Sequence, residues 1–310
     1  MRAVVLDDFG DPDVLEMREV PDPAVGPDTV LIRVRAAGIN PVDWKIRAGR
    51  LRGAFPHHTP LIPGWDVAGV VEAAGPAVTR FTVGDEVMAY ARKDSVQHGT
   101  YAELVGVTET AVAPKPAALT FAQAGALPLA GLTAAQALTA VDGGPGDVVL
   151  VHAAAGGVGH LAVQIARARG ATRVIGTASA GNHDFLRSLG AEPVEYGADL
   201  PARLEELVGG DGRVDVALDF VGGEALQQSP RLVRNPARHV SVVDPAVKEQ
   251  GGRYVFVRPH GEQLAELGEL AARGRLRVEV ARELPLAEAA RAHRLQEEGH
   301  VRGKLALLPG

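Results

Sequence analysis

Residues 147–170 read DVVLVHAAAGGVGHLAVQIARARG, and this stretch decides the fold. The apolar run after Asp147 is typical of a strand buried on both faces, and LAVQIARARG has the spacing of an amphipathic helix that ends at Gly170. Small residues lie between the two, where the backbone must approach a pyrophosphate and where the first N–H groups of a helix face its phosphates. The stretch therefore predicts a dinucleotide-binding turn, with cofactor contacts at Ala154, Gly156, Gly157, Val158 and Gly159.

The segments that follow repeat the alternation of strand and helix. Residues 173–179, 214–223 and 239–244 have the composition of strands, with helical segments between them, which is typical of right-handed βαβ units and a parallel sheet. Residues 1–118 instead carry short β-prone runs broken by Gly and Pro, which favour a small barrel or sandwich. After residue 253 we expect strands at 254–257, 276–280 and 304–308 and helices at 262–273 and 286–298. These patterns predict an inserted dinucleotide domain at 120–257, between a β-rich part at 1–119 and a returning part at 258–310.

Composition excludes several classes of protein. The chain has 310 residues, 46% hydrophobic and 23% charged, which suits two globular domains. Its formal charge of −6 does not attract nucleic acid or an anionic membrane. No run of residues approaches the roughly 20 apolar positions of a membrane helix, and the N-terminal apolar run is too short for a signal peptide. With no cysteine there is neither a disulfide nor a thiolate metal site. We expect a cytoplasmic location.

The end of the second predicted strand bears on cofactor choice. An NAD-specific site would place an acid there to bind the ribose 2′-hydroxyl. The chain instead has Thr177 and Ser179, whose neutral hydroxyls leave room for a 2′-phosphate, and Asn182 or His183 could add a hydrogen bond. We therefore expect NADPH, although no Arg or Lys follows in this loop and His183 could equally be an exposed loop histidine.

Six motifs together resemble a known family. They are GINPVDWKIRAG (38–49), PLIPGWDVAGVV (60–71), PLAGLTA (128–134), AAAGGVG (153–159), RVIGTAS (173–179) and GHVRGKLAL (299–307). The chain resembles the medium-chain dehydrogenase/reductase superfamily, and specifically its zinc-free quinone oxidoreductase branch. The resemblance implies an α/β plus β architecture, with a GroES-like catalytic domain formed by both chain ends and an inserted Rossmann domain. It also implies a homodimer that associates through residues 239–257.

The resemblance also implies that the chain binds no zinc. In the zinc alcohol dehydrogenases of this superfamily the pattern has Cys where this chain has Asn40, and His-Glu where it has Trp65 and Asp66. Neither an amide nor an indole is a usual zinc ligand. Conjugated acceptors such as quinones and α,β-unsaturated carbonyls can take up hydride without a metal, because the developing charge is delocalised onto oxygen.

Catalytic residues are assigned by their positions in the matching motifs. Asn40 and Thr133 are expected beside the nicotinamide, although a turn-forming asparagine and a helix-start hydroxyl are the alternatives. Lys45 stands where several relatives carry a tyrosine, so it could donate a proton or polarise the carbonyl, or it could be a surface lysine.

Further contacts follow from the same resemblance. Trp65 and Tyr90 are expected to wall the substrate pocket, unless they are plain core aromatics. Val221 and Phe256 are expected to flank the cofactor. Lys304 either reaches the nicotinamide side or is an exposed lysine before a strand. The chain departs from the family pattern at residues 235–238, where a Gly-rich turn is usual.

Three functions remain open on the sequence. The first is NADPH-dependent reduction of a quinone or an α,β-unsaturated carbonyl. The second is reduction of an enoyl thioester of a fatty-acid or polyketide-like pathway, for which a basic rim around Arg47, Arg50 and Arg52 would be expected unless these residues form a solvated loop. The third is a catalytically silent NADPH-binding protein. The fold does not choose among them.

Overall fold

The computed structural model describes all 310 residues and divides into two compact units. The first unit comprises Met1–Ala130, Pro259–Gly274 and Val278–Gly310, and the second comprises Gly131–Arg258 with Arg275–Arg277. The first unit is thus formed by both chain ends, and the second is inserted between them.

The first unit is built mainly from strands. Its strands are β1 (Arg2–Val5), β2 (Glu16–Glu19), β3 (Thr29–Ile39), β4 (His57–Ile62), β5 (Asp66–Ala74), β6 (Glu86–Tyr90), β7 (Val96–His98), β8 (Leu104–Thr108), β9 (Val112–Pro114), and, after the insertion, β16 (Val280–Pro285) and β17 (Lys304–Leu308). Its helices are α1 (Pro41–Arg47), α2 (Phe121–Ala126), α8 (Gly261–Ala272) and α9 (Ala289–Glu298). Short 3-10 helices lie at Pro12–Val14, Glu109–Ala111 and Leu286–Glu288.

A seven-stranded sheet forms the centre of this unit. Its order is β16-β17-β3-β5-β6-β9, with β8 also paired to β3, and all pairs are antiparallel except β16 with β17. The burial pattern of the long strand β3 accounts for its position in the sheet. Arg33 and Arg35 are exposed on one face while Ile32 and Val34 are buried on the other, and from Ala36 onward both faces are buried. The alternation of buried and exposed residues that is typical of a strand with one solvated face therefore ends at Arg35.

The second unit is an α/β domain. Its strands are β10 (Val148–Val151), β11 (Arg173–Thr177), β12 (Glu192–Val194), β13 (Val216–Asp219), β14 (His239–Ser241) and β15 (Arg253–Tyr254). Its helices are α3 (Pro128–Ala140, which begins in the first unit), α4 (Gly159–Ala168), α5 (His183–Ser188), α6 (Leu200–Val208) and α7 (Glu224–Leu232), with 3-10 helices at Ala180–Asn182, Pro236–Arg238 and Pro245–Gln250.

All six strands of the second unit run parallel in the order β12-β11-β10-β13-β14-β15. Counted from β10 along the chain, this is the order 3-2-1-4-5-6 of a Rossmann domain, as predicted. The strand order reverses beside β10, so the turn that follows β10 lies at the position where such sheets bind their ligands.

The first boundary between the units differs from the predicted one. The sequence predicts a change at residue 119, but α2 belongs to the first unit. Two glycines explain why α2 packs directly on β3. A Cβ added to Gly38 would lie 2.3 Å from the carbonyl oxygen of Gly125, and one added to Gly125 would lie 2.8 Å from that of Ala36. The helix can approach the strand this closely only because neither residue has a side chain.

The chain also returns briefly to the second unit near its end. Arg277 donates its backbone N–H to Gln164 Oε1 at 2.7 Å and accepts a bond from Gln164 Nε2 at 2.9 Å. This pair of bonds joins residues 275–277 to α4. The predicted strand at 276–280 is wrong, because strand pairing with β17 begins only at Val280. None of the helices is both long and apolar enough to cross a membrane.

The close approach of α2 to β3 predicts a large effect of a single methyl group. We expect Gly38→Ala to destabilise the protein by about 1–3 kcal/mol, because the new methyl must displace the backbone of α2. Urea unfolding followed by circular dichroism measures the change. Gly53→Ala is the matched control, since a Cβ there meets no atom within 4 Å. Equal stability of the two variants would contradict the packing argument.

Candidate functional site

The Gly-rich turn of the second unit is held by hydrogen bonds from the neighbouring strand. Ala153 adopts a left-handed backbone conformation, with φ of 52°. Its N–H donates to the hydroxyl of Thr177 at 3.1 Å, and the N–H of Ala154 donates to the Thr177 carbonyl at 3.0 Å. Gly156 then donates its N–H to the Ala153 carbonyl at 2.9 Å. These bonds fix the reversal of the chain before α4 begins.

The turn leaves its N–H groups available to an anion. A Cβ on Gly159 would lie 2.2 Å from the carbonyl oxygen of Ala153, so only glycine lets α4 start here. Gly156, Gly157 and Val158 are partly exposed, and the N–H groups of Gly157, Val158 and Gly159 donate to no protein acceptor. Unpaired N–H groups at the positive end of a ten-residue helix attract phosphate. The predicted turn thus fits a pyrophosphate.

The loop after β11 requires one correction. Thr177 is buried and its hydroxyl is used by the turn, so it stabilises the turn and does not face a ribose phosphate. Ser179 is exposed, and Asn182 Nδ2 donates to its hydroxyl at 3.2 Å. His183 begins α5, and its Nε2 is buried without a partner. The structure therefore brings Ser179 and Asn182 together and leaves them accessible beside His183.

Asp219, at the end of β13, is a residue that the sequence analysis missed. Its carboxylate is fully buried and accepts bonds from the N–H groups of Val221 at 2.9 Å and Gly222 at 2.7 Å and from the Ser241 hydroxyl at 2.7 Å. Gly222 has a left-handed φ of 75°. Asp219 thus fixes the turn at the exit of β13. The only signal in the sequence is an acid placed shortly before Gly-Gly at the end of a strand.

Apolar side chains are exposed at the carboxyl edge of the same sheet. Val221 follows β13 and Phe256 follows β15, and they are 55% and 42% exposed. Large apolar groups exposed at this edge of a Rossmann sheet are placed as cofactor-flanking residues would be. Thr133, on α3, is buried.

Two histidines are buried behind this edge. His152 follows β10, and its Nε2 lies 3.1 Å from the hydroxyl of Ser229, which itself donates to the Ala225 carbonyl. Burial lowers the pKa of His152 to about 4, and burial also lowers the pKa of His239. Both imidazoles are therefore neutral at pH 7, and they contribute structure to the sheet.

The first unit contains a buried network of charged and amide groups. The Lys304 ammonium, on β17, donates to the carbonyl of Ile39 at 2.7 Å and to Asn40 Oδ1. The other end of the amide, Asn40 Nδ2, donates to Asp66 Oδ2 at 2.8 Å. Asp66 Oδ1 accepts the N–H of Leu129 at 2.7 Å. The lysine faces the amide oxygen and the carboxylate faces the amide nitrogen, so the Asn40 side chain has one orientation.

This network changes two predictions. Asn40 is only 2% exposed and both ends of its amide are bonded to protein. Lys304 is 3% exposed, so the alternative of an exposed lysine before a strand is wrong. Burial raises the pKa of Asp66 to about 6, and the Lys304 charge opposes that shift. Burial also lowers the pKa of Lys304, and the Asp66 charge opposes it. Each charge thus stabilises the ionised form of the other.

A second carboxylate extends the network. Asp43 Oδ2 accepts the backbone N–H of Asn40 at 2.8 Å and the Tyr101 hydroxyl at 3.1 Å. Burial raises the pKa of Asp43 to about 7. Tyr101 in turn lies 3.4 Å from Nε2 of His293, whose pKa burial lowers to about 3. These contacts join the start of α1 to α9.

Trp65 and Tyr90 lie side by side in the first unit. Their ring centroids are 6.1 Å apart, and Phe55 lies 6.0 Å from Trp65 on the other side. Both residues are buried, and the Tyr90 hydroxyl has no hydrogen-bond partner. Burial raises the pKa of Tyr90, so its hydroxyl keeps its proton. Lys45, on α1, is half-buried, and burial lowers the pKa of its ammonium.

The residues present do not suit zinc. Two carboxylates lie beside Asn40, and both already accept hydrogen bonds from the protein: Asp66 from Leu129 and Asn40, and Asp43 from Asn40 and Tyr101. The Lys304 ammonium lies 3.8 Å from Asp66, where its charge opposes a second cation. Nowhere in the chain do three or more His, Cys, Asp or Glu side chains form a group that could hold a metal ion.

Comparisons with known proteins agree with this architecture. A family model described as the alcohol dehydrogenase GroES-like domain matches residues 26–117, and one described as zinc-binding dehydrogenase matches residues 189–307. The second description names zinc, but Asn40, Trp65 and Asp66 do not form a set of zinc ligands. A GroES-like domain with an inserted Rossmann domain defines the medium-chain dehydrogenases and reductases.

Relatives place the chain more closely. It is 35% identical to an NADPH-dependent alkenal/one oxidoreductase of Arabidopsis thaliana, over 100% of this chain and 80% of that protein. A quinone oxidoreductase from Coxiella burnetii has a TM-score of 0.87 and 37% identity, covering 100% and 99% of the two chains. The Escherichia coli quinone oxidoreductase, solved with NADPH, has a TM-score of 0.83 and 30% identity, covering 100% of both. The chain belongs to the medium-chain dehydrogenase/reductase superfamily, in its quinone oxidoreductase branch.

The buried network predicts a non-additive effect of substitution. Lys304→Met leaves Asp66 buried without a counter-charge, and we expect it to destabilise the protein by about 3–5 kcal/mol. Adding Asp66→Asn removes that charge, so the double variant should regain more than half of the loss. Denaturant unfolding of the single and double variants measures this coupling. Additive losses in the double variant would show that the two charges do not interact.

The neutral histidines predict acid sensitivity. An unfolded histidine has a pKa near 6.5, whereas folded His152 titrates near 4. Between these values the unfolded chain binds a proton that the folded protein does not, so stability falls as the pH drops from about 6.5 to 4, by up to about 3 kcal/mol. We expect His152→Gln to flatten this dependence in urea titrations at pH 7.5 and 5. The exposed-residue control, His58→Gln, should keep the wild-type slope.

Proposed function

We propose that this protein is a zinc-independent, NADPH-dependent oxidoreductase that reduces a quinone or an α,β-unsaturated carbonyl compound. The observation that carries the proposal is the turn at Ala153–Gly159, whose unpaired N–H groups lie at the switch point of a complete six-stranded Rossmann sheet. The names of the Arabidopsis and Escherichia coli proteins, an alkenal/one oxidoreductase and a quinone oxidoreductase, support the reaction class.

The preference for NADPH is supported by the loop after β11. No acid stands where a carboxylate would bind a ribose 2′-hydroxyl, and Ser179 and Asn182 present a hydroxyl and an amide there. The N–H groups of Gly157, Val158 and Gly159 would hold the pyrophosphate. By family position, Thr133 is expected to approach the nicotinamide, and Val221 and Phe256 are expected to flank the cofactor. When bound, NADPH supplies the hydride.

The first unit supplies a preorganised environment for the acceptor. A conjugated carbonyl that accepts hydride at its β-carbon develops negative charge on oxygen, which a fixed hydrogen-bond donor stabilises. The Tyr90 hydroxyl is a donor of this kind in the first unit, because it is buried, keeps its proton and has no hydrogen-bond partner in the protein. Asn40 acts through its fixed position at the start of α1.

A homodimer and a cytoplasmic location belong to the same proposal. Within residues 239–257, the strand β15 lies at the edge of the Rossmann sheet and offers an unpaired edge to a second copy of the chain. A chain without cysteine needs no disulfide, which is compatible with a cytoplasmic location.

A coenzyme comparison tests the proposal. Initial rates with NADPH and with NADH are measured across quinones, α,β-unsaturated ketones and aldehydes, nitroalkenes and enoyl thioesters, before and after treatment with a chelator. We expect a higher kcat/KM with NADPH, no loss on chelation, and a shift of about tenfold towards NADH in Ser179→Asp, because the new carboxylate repels a 2′-phosphate. No turnover of any acceptor would remove the enzymatic function.

The control for that shift is Ser188→Asp, an exposed serine of α5 whose hydroxyl bonds only the Phe185 carbonyl. Ser188→Asp adds the same charge at the end of α5, farther along the chain than Ser179. The NADPH preference of this variant should therefore stay within about twofold of wild type. A higher kcat/KM with NADH in the wild-type protein would overturn the coenzyme assignment while leaving the reaction class intact.

A further inference from the structure

Three cationic side chains lie on α1 and on the loop that follows it, and each stacks on an aromatic ring. Lys45 and Arg50 both lie against the ring of Trp44, with Lys45 Nζ 5.9 Å and the Arg50 guanidinium 4.8 Å from the ring centroid. The Arg52 guanidinium lies 5.2 Å from the ring of Phe9. Arg50 and Arg52 are exposed and Lys45 is half-buried. We refer to Lys45, Arg50 and Arg52 as the basic rim.

Arg47 does not belong to this rim, although the sequence placed it there. Its side chain is only 2% exposed, donates to the carbonyl of Gly10 at 3.0 Å and forms an ion pair with Glu297. The N–H of Gly10 donates back to the Arg47 carbonyl at 3.0 Å. Arg47 therefore anchors the end of α1 to the loop that carries Phe9, and so fixes the aromatic face on which Arg52 stacks.

The rim has no acidic partner in the protein. Other exposed arginines of this unit do have such partners: Arg18 and Arg33 each form an ion pair with a carboxylate. Neither Lys45, Arg50 nor Arg52 forms one, and the charge that acts on Lys45 is that of Arg50, a second cation. Lys45 and Arg50 lie over the same tryptophan ring without a carboxylate, so their like charges repel each other, and an anion bound between them would relieve that repulsion.

A row of aromatic rings leads from the rim to the predicted pocket wall. Phe9 contacts His57 at 5.6 Å between ring centroids, and His57 contacts Phe55 at 6.4 Å. Phe55 then contacts Trp65 at 6.0 Å. His57 Nδ1 bonds the Phe55 carbonyl at 2.8 Å, which fixes its ring in the row. The rim and Trp65 are thus two ends of one packed cluster.

We propose that Lys45, Arg50 and Arg52 form a binding site for an anionic group, a carboxylate or a phosphate, carried by the substrate. Arginines stacked on aromatic faces keep their planar donors in a fixed orientation, which suits the oxygens of either anion. The assignment rests on the proposed function, since it names the acceptor as a conjugated carbonyl compound that bears a negative charge. The charged group binds at the rim, and the conjugated group extends along the aromatic row.

Matched substrates test the site. Pent-3-en-2-one and 4-oxopent-2-enoate share an enone and differ by a carboxylate in place of a methyl group. Crotonyl-pantetheine and crotonyl-4′-phosphopantetheine share a thioester and differ by one phosphate. For each pair the ratio of kcat/KM, charged over neutral, is compared between wild type and Arg50→Gln/Arg52→Gln. We expect the ratio to fall about tenfold in one pair, through KM, because charge-assisted bonds are lost. The pair that responds identifies the carboxylate or the phosphate as the ligand.

The control variant is Arg80→Gln. Arg80 is exposed and stacks on Phe81 at 5.2 Å. The substitution therefore removes a similar cation–π pair at a position distant in sequence from the basic rim. It should leave both ratios unchanged. If Arg50→Gln/Arg52→Gln also leaves both ratios unchanged, the rim is a solvated surface and the proposal is wrong.

A binding measurement separates this proposal from the proposed function. The chain has two tryptophans, and Trp44 lies directly under Arg50, so its fluorescence reports occupancy of the rim. We expect crotonyl-4′-phosphopantetheine or 4-oxopent-2-enoate to quench it with a Kd about tenfold lower than the neutral partner, and the double variant to abolish that difference. If no acceptor is turned over but this preference is present, the enzymatic function fails and the rim stands. Equal Kd values for charged and neutral ligands would contradict the proposed anion site, even if the enzyme is active.

Discussion

The buried ammonium of Lys304 is the constraint on which the first unit depends. It lies on the last strand of the chain, yet it bonds the Ile39 carbonyl and the Asn40 side chain, more than 260 residues earlier in the sequence. A charge in this position is costly unless it is neutralised and hydrogen-bonded, and Asp66 supplies the opposite charge 3.8 Å away. The strands β17, β3 and β5 must therefore assemble in register before the charge is stabilised.

The same constraint decides what Asn40 can do. An amide whose oxygen faces a lysine and whose nitrogen faces a carboxylate cannot rotate without placing like groups together. The start of α1 is held by this amide and by Asp43, so the helix leaves the strand in one direction. Fixed in this way, α1 carries Lys45 and ends at Arg47, whose buried ion pair sets the position of the following loop. The polar core thus determines where the exposed cations lie.

The sequence predicted the second unit well and the polar details poorly. A buried strand, a small-residue turn and an amphipathic helix follow one another at 147–170. Each is recognised from neighbouring residues alone, and the tertiary structure keeps each of them. The interior positions of Lys304 and Thr177 depend on partners 24 to 265 residues away, which no local pattern encodes. Asp219 was missed for a different reason. Its backbone partners, the N–H groups of Val221 and Gly222, are close in sequence, but an acid at the end of a strand gives no sign of whether it faces them or solvent.

A common physical cause explains these corrections. Motif positions identify residues whose type is required, but the requirement can be structural: Thr177 holds the turn, and Lys304 neutralises a carboxylate. Side chains that are satisfied inside the protein can orient a site but have few bonds left for a ligand. Recognition then falls to groups that the fold leaves unsatisfied, namely the N–H groups before α4, the Tyr90 hydroxyl and the unpaired cations after α1. Because Arg50 and Arg52 are exposed on a loop that a rigid core supports, we expect substitutions there to have little effect on stability and to act on ligand binding.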